Sequence, residues 1–216
     1  MDKKVYVYHF TNESKERPIV YQKQVEELKE YASWFGDVEQ ISVDKTLKES
    51  EQTEKIEMLK KAEFDVLVTK DFYHINKHTN RCFEILKELF ERGVKITTLE
   101  DGEVVFCDAD FDKSVRVCIY HSRCNDKEDI SISTQLSIFH LFVSTKTNWS
   151  VIDIFVDEDD SQTKLRQMIE SRNDYDLVVV KQVSCVNERT SKFFKIMKEL
   201  KLPIFSLREG EIHYVR

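Results

Sequence analysis

The sequence predicts a mixed α/β protein built as two tandem three-layer α/β/α domains, residues 1–109 and 110–216, each a mostly parallel sheet of about five strands. Short β-rich segments alternate with helix-length amphipathic ones, the pattern of a parallel sheet with helical crossovers. The order of elements in the first half returns in the second. The 216 residues also suffice for two units of about 100 residues, each large enough to bury a core.

Lys4 to Phe10 alternates and is rich in β-formers, so it reads as the first strand. Val25, Leu28, Ala32 and Phe35 then recur at helical spacing, and Glu39–Val43 reads as a second strand. Ile56, Leu59 and Ala62 predict a second amphipathic helix leading into Val66-Leu67-Val68, an apolar run expected for a strand covered on both faces. A third helix carries Cys82, Ile85, Leu86 and Leu89 and stops near Gly93, where glycine suits a left-handed cap. Val94–Thr97 resumes as a strand, and a turn at Asp101-Gly102 introduces the short strand Glu103–Phe106. The resulting β-α-β-α-β-α-β-β order implies right-handed crossovers.

Three matches in order indicate a duplication. Thr98-Leu99-Glu100-Asp101-Gly102-Glu103 returns as Ser206-Leu207-Arg208-Glu209-Gly210-Glu211, Phe64–Lys70 returns as Tyr175–Lys181, and Glu57-Met58-Leu59 returns as Gln167-Met168-Ile169. The polar stretch Asp108–Lys113 reads as the junction, with the boundary near Asp110.

Composition narrows the function. With 4 Gly and 2 Pro in the whole chain, no glycine-rich phosphate loop fits, and no cofactor is expected. The net charge of −7 divides into −6 for residues 1–108 (17 basic, 23 acidic) and −1 for residues 109–216 (16 basic, 17 acidic). DNA is therefore not favoured as a partner unless charge segregates in space. No apolar run reaches membrane-span or signal-peptide length, so a cytoplasmic protein without membrane contact is expected. Five scattered cysteines without a C-x-x-C pair suit reduced thiols, and no metal is expected.

Thr69-Lys70-Asp71-Phe72-Tyr73-His74-Ile75-Asn76-Lys77-His78-Thr79 resembles the segment T-K-S-I-S-R-F-A-R-N-T of the serine recombinases, the resolvase/invertase family. The second half carries Val180-Lys181-Gln182-Val183-Ser184-Cys185-Val186-Asn187-Glu188-Arg189-Thr190 at the matching place. Gln24–Ala32 is similar to the family's Q-L-x-x-L-x-x-Y-A helix, and Ser131–Leu136 to its S-L-x-x-Q-L entry. The resemblance implies two degenerate copies of a recombinase catalytic domain. Family chemistry needs a serine within Y-x-R-V-S and an arginine clamp on the phosphate. In the first copy Tyr8 and Phe10 take the arginine and serine places, with Gln52, His74 and Lys77 at the other arginine positions. In the second copy the corresponding residues are Ser122, Cys124, Gln162, Cys185 and Glu188. No catalytic residue is expected, because neutral and acidic groups cannot replace bidentate guanidinium contacts. The helix-turn-helix or zinc ribbon that binds DNA in the family finds no counterpart in the chain.

The reading is a non-catalytic recombinase-like protein with an interaction or regulatory role, associated with a mobile element. A DNA strand-exchange enzyme and a thiol- or ligand-dependent site in the second copy are the alternatives. Cys124 and Cys185 fall at the ends of neighbouring strands, where small buried cysteines are the plainer expectation and a thiol site the sharper one. Tyr8, His9, His74 and Lys77 are read chiefly as turn and surface residues, with a small anion pocket as the alternative. Asp157-Glu158-Asp159-Asp160 reads as a solvated loop. Ile138 and Leu141 stand where the first copy has Glu27 and Glu30, so with Phe142 they are expected to be buried against another domain, a second copy of the chain or a protein partner.

Overall fold

The computed structural model describes residues 3–10, 18–44, 57, 59, 61, 63–107, 113–123, 131–159 and 161–215. It is a mixed α/β protein whose chain divides into two compact units, Met1–Val104 with Val215–Arg216, and Val105–Tyr214.

In the first unit β1 (Lys4–Phe10), β2 (Asp37–Asp44), β3 (Val66–Thr69), β4 (Lys95–Thr98) and β5 (Gly102–Cys107) lie in the order β2-β1-β3-β4-β5. The first four are parallel, and β5 returns antiparallel to β4. α1 (Pro18–Ser33) begins on a proline, whose fixed φ and missing donor suit a first helical turn. Its Leu28 and Ala32 close over Val5, Val7, Val66 and Val68. Alternation sends Tyr6 and Tyr8 to the opposite face, where Tyr6 meets the ring of Phe64 at 5.1 Å. β1 and β3 are thus covered on both faces, as the apolar run at Val66 predicts. A 3-10 turn (Phe72–His74) and α2 (Thr79–Glu91) link β3 to β4.

The second unit repeats this plan. β6 (Val115–Ser122), β7 (Trp149–Asp157), β8 (Leu177–Val180), β9 (Ile204–Ser206) and β10 (Gly210–Val215) lie in the order β7-β6-β8-β9-β10, with only β10 antiparallel. α3 (Ile132–Ser144) starts where Ser131 accepts the amide of Thr134 at 3.3 Å, an N-cap that satisfies one orphan donor. Its Phe139 and Val143 pack on Val115, Val117, Ile119, Leu177 and Val179. α4 (Thr163–Glu170), a 3-10 turn (Val183–Cys185) and α5 (Thr190–Leu200) complete the unit.

Local contacts recur between the units with the same partners. The Lys4 amide donates to Asp65 Oδ2 at 2.8 Å, and the Arg116 amide to Asp176 Oδ2 at 2.9 Å. The pairing register slips between Val5 and Tyr6, and again between Val117 and Cys118. Asp101 accepts the amide of Phe72 at 3.0 Å, and Glu209 that of Val183 at 3.1 Å. Gly102 and Gly210 take φ of 86° and 93° at the matching turns. These contacts align Lys4 with Arg116, and hence Tyr8 with Tyr120, His9 with His121 and Phe10 with Ser122. Sequence matching had set Phe10 against Cys124, two residues further along; the hydrogen-bonded strand start corrects it.

Candidate functional site

The carboxyl ends of β6, β7 and β8 open into a cavity of about 400 Å³, the place where open parallel sheets receive ligands because successive strands diverge into loops there. Among the described residues, four segments line it. Tyr120, Ser122 and Arg123 come from the end of β6, Asp159 and Gln162 from the β7–α4 connection, and Ser184 to Arg189 from the turn after β8, with Lys192 on the first turn of α5.

Its floor is built on Asp157, the last residue of β7, which is 3% exposed. The carboxylate accepts the Tyr120 hydroxyl at 3.1 Å and the amides of Lys164 and Leu165 at 2.8 and 3.0 Å. It therefore caps α4 from outside the helix, because Gln162, at the N-cap position with φ of 55°, makes no side-chain cap. Burial, with the nearby Asp157 charge, raises the Tyr120 hydroxyl well above its ordinary range. The acidic run is thus not a uniform solvated loop: its first carboxylate is a buried anchor.

The wall is tied by side chains bonded to backbone. Ser122 Oγ donates to the Cys185 carbonyl at 2.6 Å, and Gln162 Nε2 to the Val186 carbonyl at 3.3 Å. Asn187 Oδ1 accepts the Arg189 amide at 3.0 Å, shaping the entry to α5. Hydrogen bonds from Ser161 lower the Asp159 carboxyl below its ordinary value and keep it anionic. Ser122, Gln162, Ser184 and Asn187 are half-buried, while Arg123, Asp159, Glu188 and Arg189 are exposed at the rim. Neutral hydrogen-bonding groups lie inside and charges lie outside.

Of the residues singled out in the second half, Ser122, Gln162, Cys185 and Glu188 meet in this cavity, whereas Cys124 lies outside the described residues. Cys185 is disulfide-bonded, which corrects the expectation of reduced thiols for that residue; Cys82, Cys107 and Cys118 are thiols. In the first half Gln52 lies outside the described residues, and of Phe10 only its place at the end of β1 is described. Tyr8 is buried, its hydroxyl pushed up to about 12 by burial and by Tyr6. His74 is held by Asp71, whose Oδ1 meets its Nδ1 at 2.7 Å, and it stacks on the buried His9 with centroids 5.2 Å apart. Burial alone would raise the Asp71 carboxyl, but the His74 hydrogen bond and charge outweigh it and hold it low. His74 thus spends its ring on Asp71, and Lys77 is half-buried in the following loop.

Arg189, Asn187 and Lys192 belong to the cavity but were not singled out, because a pattern search tests fixed positions and these follow from how the turn folds over β6. Within the single chain Ile138 and Leu141 are 48% and 69% exposed, while Phe142 packs against Trp149 and Phe205 with ring centroids 5.9 and 4.9 Å away.

His121 points away from the cavity and meets Phe139 with ring centroids 6.2 Å apart. Burial, with Lys181 adding, lowers it below its ordinary 6.5. Between that depressed value and 6.5 the unfolded chain binds more protons, so stability is complete above 6.5 and falls as pH drops beneath it. Urea titrations between about pH 8 and pH 5 are expected to show this loss, and His121→Gln is expected to flatten it; an unchanged slope in the variant assigns the dependence elsewhere.

No family model and no curated protein matches the chain. Solved structures similar to it include a sugar ABC transporter from Actinomyces odontolyticus ATCC 17982 (13% identity, TM-score 0.33, 85% of this chain and 65% of that one). A periplasmic ribose ABC transporter from Conexibacter woesei DSM 14684 matches at 14% identity and TM-score 0.33, over 84% of this chain and 64% of that one. An ABC transporter solute binding protein from Burkholderia graminis C4D1M in complex with D-arabinose matches at 13% and 0.32, over 96% and 78%. The chain spans about 65% of the length of the first two. Likeness at this level assigns neither ligand nor compartment. No recombinase family model matches the chain, so the resemblance to serine recombinases is withdrawn. With it go the recombinase-derived regulatory role, the mobile element and DNA recombination. The cytoplasmic expectation is withdrawn too, because the lack of a long apolar run does not fix a compartment; among the described residues no helix is long and apolar enough to cross a membrane. The doubled segment has a local physical explanation instead. Thr79 and Thr190 are buried at helix starts, and Asn76 and Asn187 each accept an amide two residues on, so both copies solve the same strand–turn–helix connection.

Proposed function

We propose that the protein binds a small, hydroxyl-rich polar ligand in the cavity of the second unit, and that its two halves are duplicated copies of one three-layer α/β/α unit. The recurring strand order, register slip and turn contacts support the duplication. The observation that carries the ligand reading is the sorting of the lining: half-buried hydroxyl and amide groups inside, charges at the rim. Such interior groups donate and accept at once, as a ligand with several hydroxyls requires, while a buried anion or cation would need a charge beside it. Binding is favoured over catalysis because the Ser122 hydroxyl is committed to the Cys185 carbonyl, the Cys185 sulfur is in a disulfide, and among the described residues no histidine lines the cavity.

Titration calorimetry with glycerol, D-ribose, D-arabinose and myo-inositol tests the reading. At least one is expected to bind saturably, and Gln162→Leu to weaken it about tenfold by removing a neutral hydrogen-bonding group. No saturable heat from the panel, or an affinity indifferent to Gln162, defeats it.

A further inference from the structure

Helices α1 and α3 occupy the same place in the two units but show solvent different faces. Leu28 and Ala32 of α1 correspond to Phe139 and Val143 of α3, each pair closing over its own strands. With the buried face matched in this way, Glu27, Glu30 and Tyr31 of α1 correspond to Ile138, Leu141 and Phe142 of α3. Thr97 pairs with Val68 in the first unit as Phe205 pairs with Val179 in the second, so Phe205 is the counterpart of Thr97. The Tyr31 and Thr97 hydroxyls form a hydrogen bond of 2.9 Å, whereas Phe142 meets Phe205 ring to ring at 4.9 Å. Four matched positions thus carry acidic or hydroxyl groups in one unit and hydrocarbon in the other.

The four form one surface. Leu141 and Phe142 follow Ile138 by three and four residues, so the three share a side of α3, and Phe142 joins them to Phe205 and Trp149. Ile138 and Leu141 are exposed there, and Phe142 and Phe205 are half-buried. The fold does not require hydrocarbon at these places, since the first unit builds the same helix with glutamates. The change also extends along the whole helix: α3 contains no Asp, Glu, Lys or Arg, whereas α1 contains Lys23, Glu26, Glu27, Lys29 and Glu30.

We propose that this face of α3 is the contact of a homodimer, in which α3 of one copy packs on α3 of a second copy about a two-fold axis. Charge decides the occupant. A chain of net charge −7 repels its own copy wherever acids meet, and this face brings none to the contact. An uncharged apolar face is also complementary to itself, as a two-fold interface requires, and it offers nothing for a partner of opposite charge to answer. Size decides the strength. A helix of thirteen residues is about 20 Å long and about 10 Å across, so a pair of them buries less than the ~800 Å² per partner of a standard stable complex. The dimer is therefore reversible, with a Kd on the order of ten micromolar. It is independent of what the cavity binds.

Sedimentation velocity of the full chain from about 1 to about 300 μM tests the contact. The sedimentation coefficient is expected to rise with concentration to that of a dimer. It is expected to do so at least as readily at high salt as at low, because salt screens the repulsion between two acidic copies and no ion pair holds them together. Ile138→Glu with Leu141→Glu restores what the first unit carries at these places, and is expected to fold and to raise the Kd at least about tenfold; far-UV circular dichroism checks the folding. If that double variant does not fold, Leu141→Gln, at the more exposed of the two positions, is expected to raise the Kd about threefold or more. A protein that stays monomeric over the whole range overturns the dimer and leaves the face to a different protein. Association that the folded variants leave intact overturns it as well, since the contact then lies elsewhere on the chain.

Discussion

Asp157→Ala is expected to destabilise the second unit by about 3–5 kcal/mol, the range for breaking a buried, multiply bonded charge. The deletion acts at three places at once. The Lys164 and Leu165 amides lose their acceptor at a helix start whose N-cap residue, Gln162, makes no side-chain cap, and the Tyr120 hydroxyl, buried on the cavity floor, loses its partner. Because that floor carries the end of β6 and the start of α4, the variant is expected to disturb the cavity along with stability. Asp157→Asn keeps one acceptor oxygen and is expected to lose about half as much. Urea denaturation followed by tyrosine and tryptophan fluorescence measures both. A loss under about 1 kcal/mol for the alanine variant means that water replaces the carboxylate and the anchor role is wrong.

Gly36→Ala is expected to damage the first unit at least as severely, by about 3 kcal/mol or more, or to prevent its folding. Gly36 turns the chain from α1 into β2 with φ of 153°, and a Cβ there would stand 2.1 Å from the backbone oxygen of Lys3. That oxygen cannot move aside cheaply, since it accepts the amide of Asp37 at 2.9 Å and so starts the β1–β2 pairing. Gly93→Ala is the control. Its φ of 80° also favours glycine, but a Cβ there meets nothing within 4 Å, so only the backbone term of about 1 kcal/mol is expected. Equal losses in the two variants would show that φ, and not the clash at Lys3, governs both sites.

Much of the local architecture was legible in the residues. The alternation at Lys4–Phe10, the apolar run at Val66–Val68 and the turn glycines Gly93 and Gly102 each report a constraint that acts within a few residues, and each element stands where that constraint places it. The internal repeat was legible because it preserves such constraints twice. The family assignment failed for the same reason: a strand, a 3-10 turn and a capped helix start demand similar residues in any parallel α/β chain, so short matches there carry little about ancestry or chemistry.

What only the tertiary structure decided are relations between segments distant in the chain. Asp157 reads as one acid in a run of four until β7 ends it beneath α4 and Tyr120. The correspondence of β6 to β1 stood two residues off until the amide of Arg116 met Asp176, sixty residues away. Ser122, Gln162 and Cys185 were named separately, and the crossovers bring them to one cavity wall. Sequence patterns register the periodicity that each segment needs to bury its own face, whereas a site forms where loops from separate strands converge, and that convergence is set by the sheet order rather than by any one segment's composition.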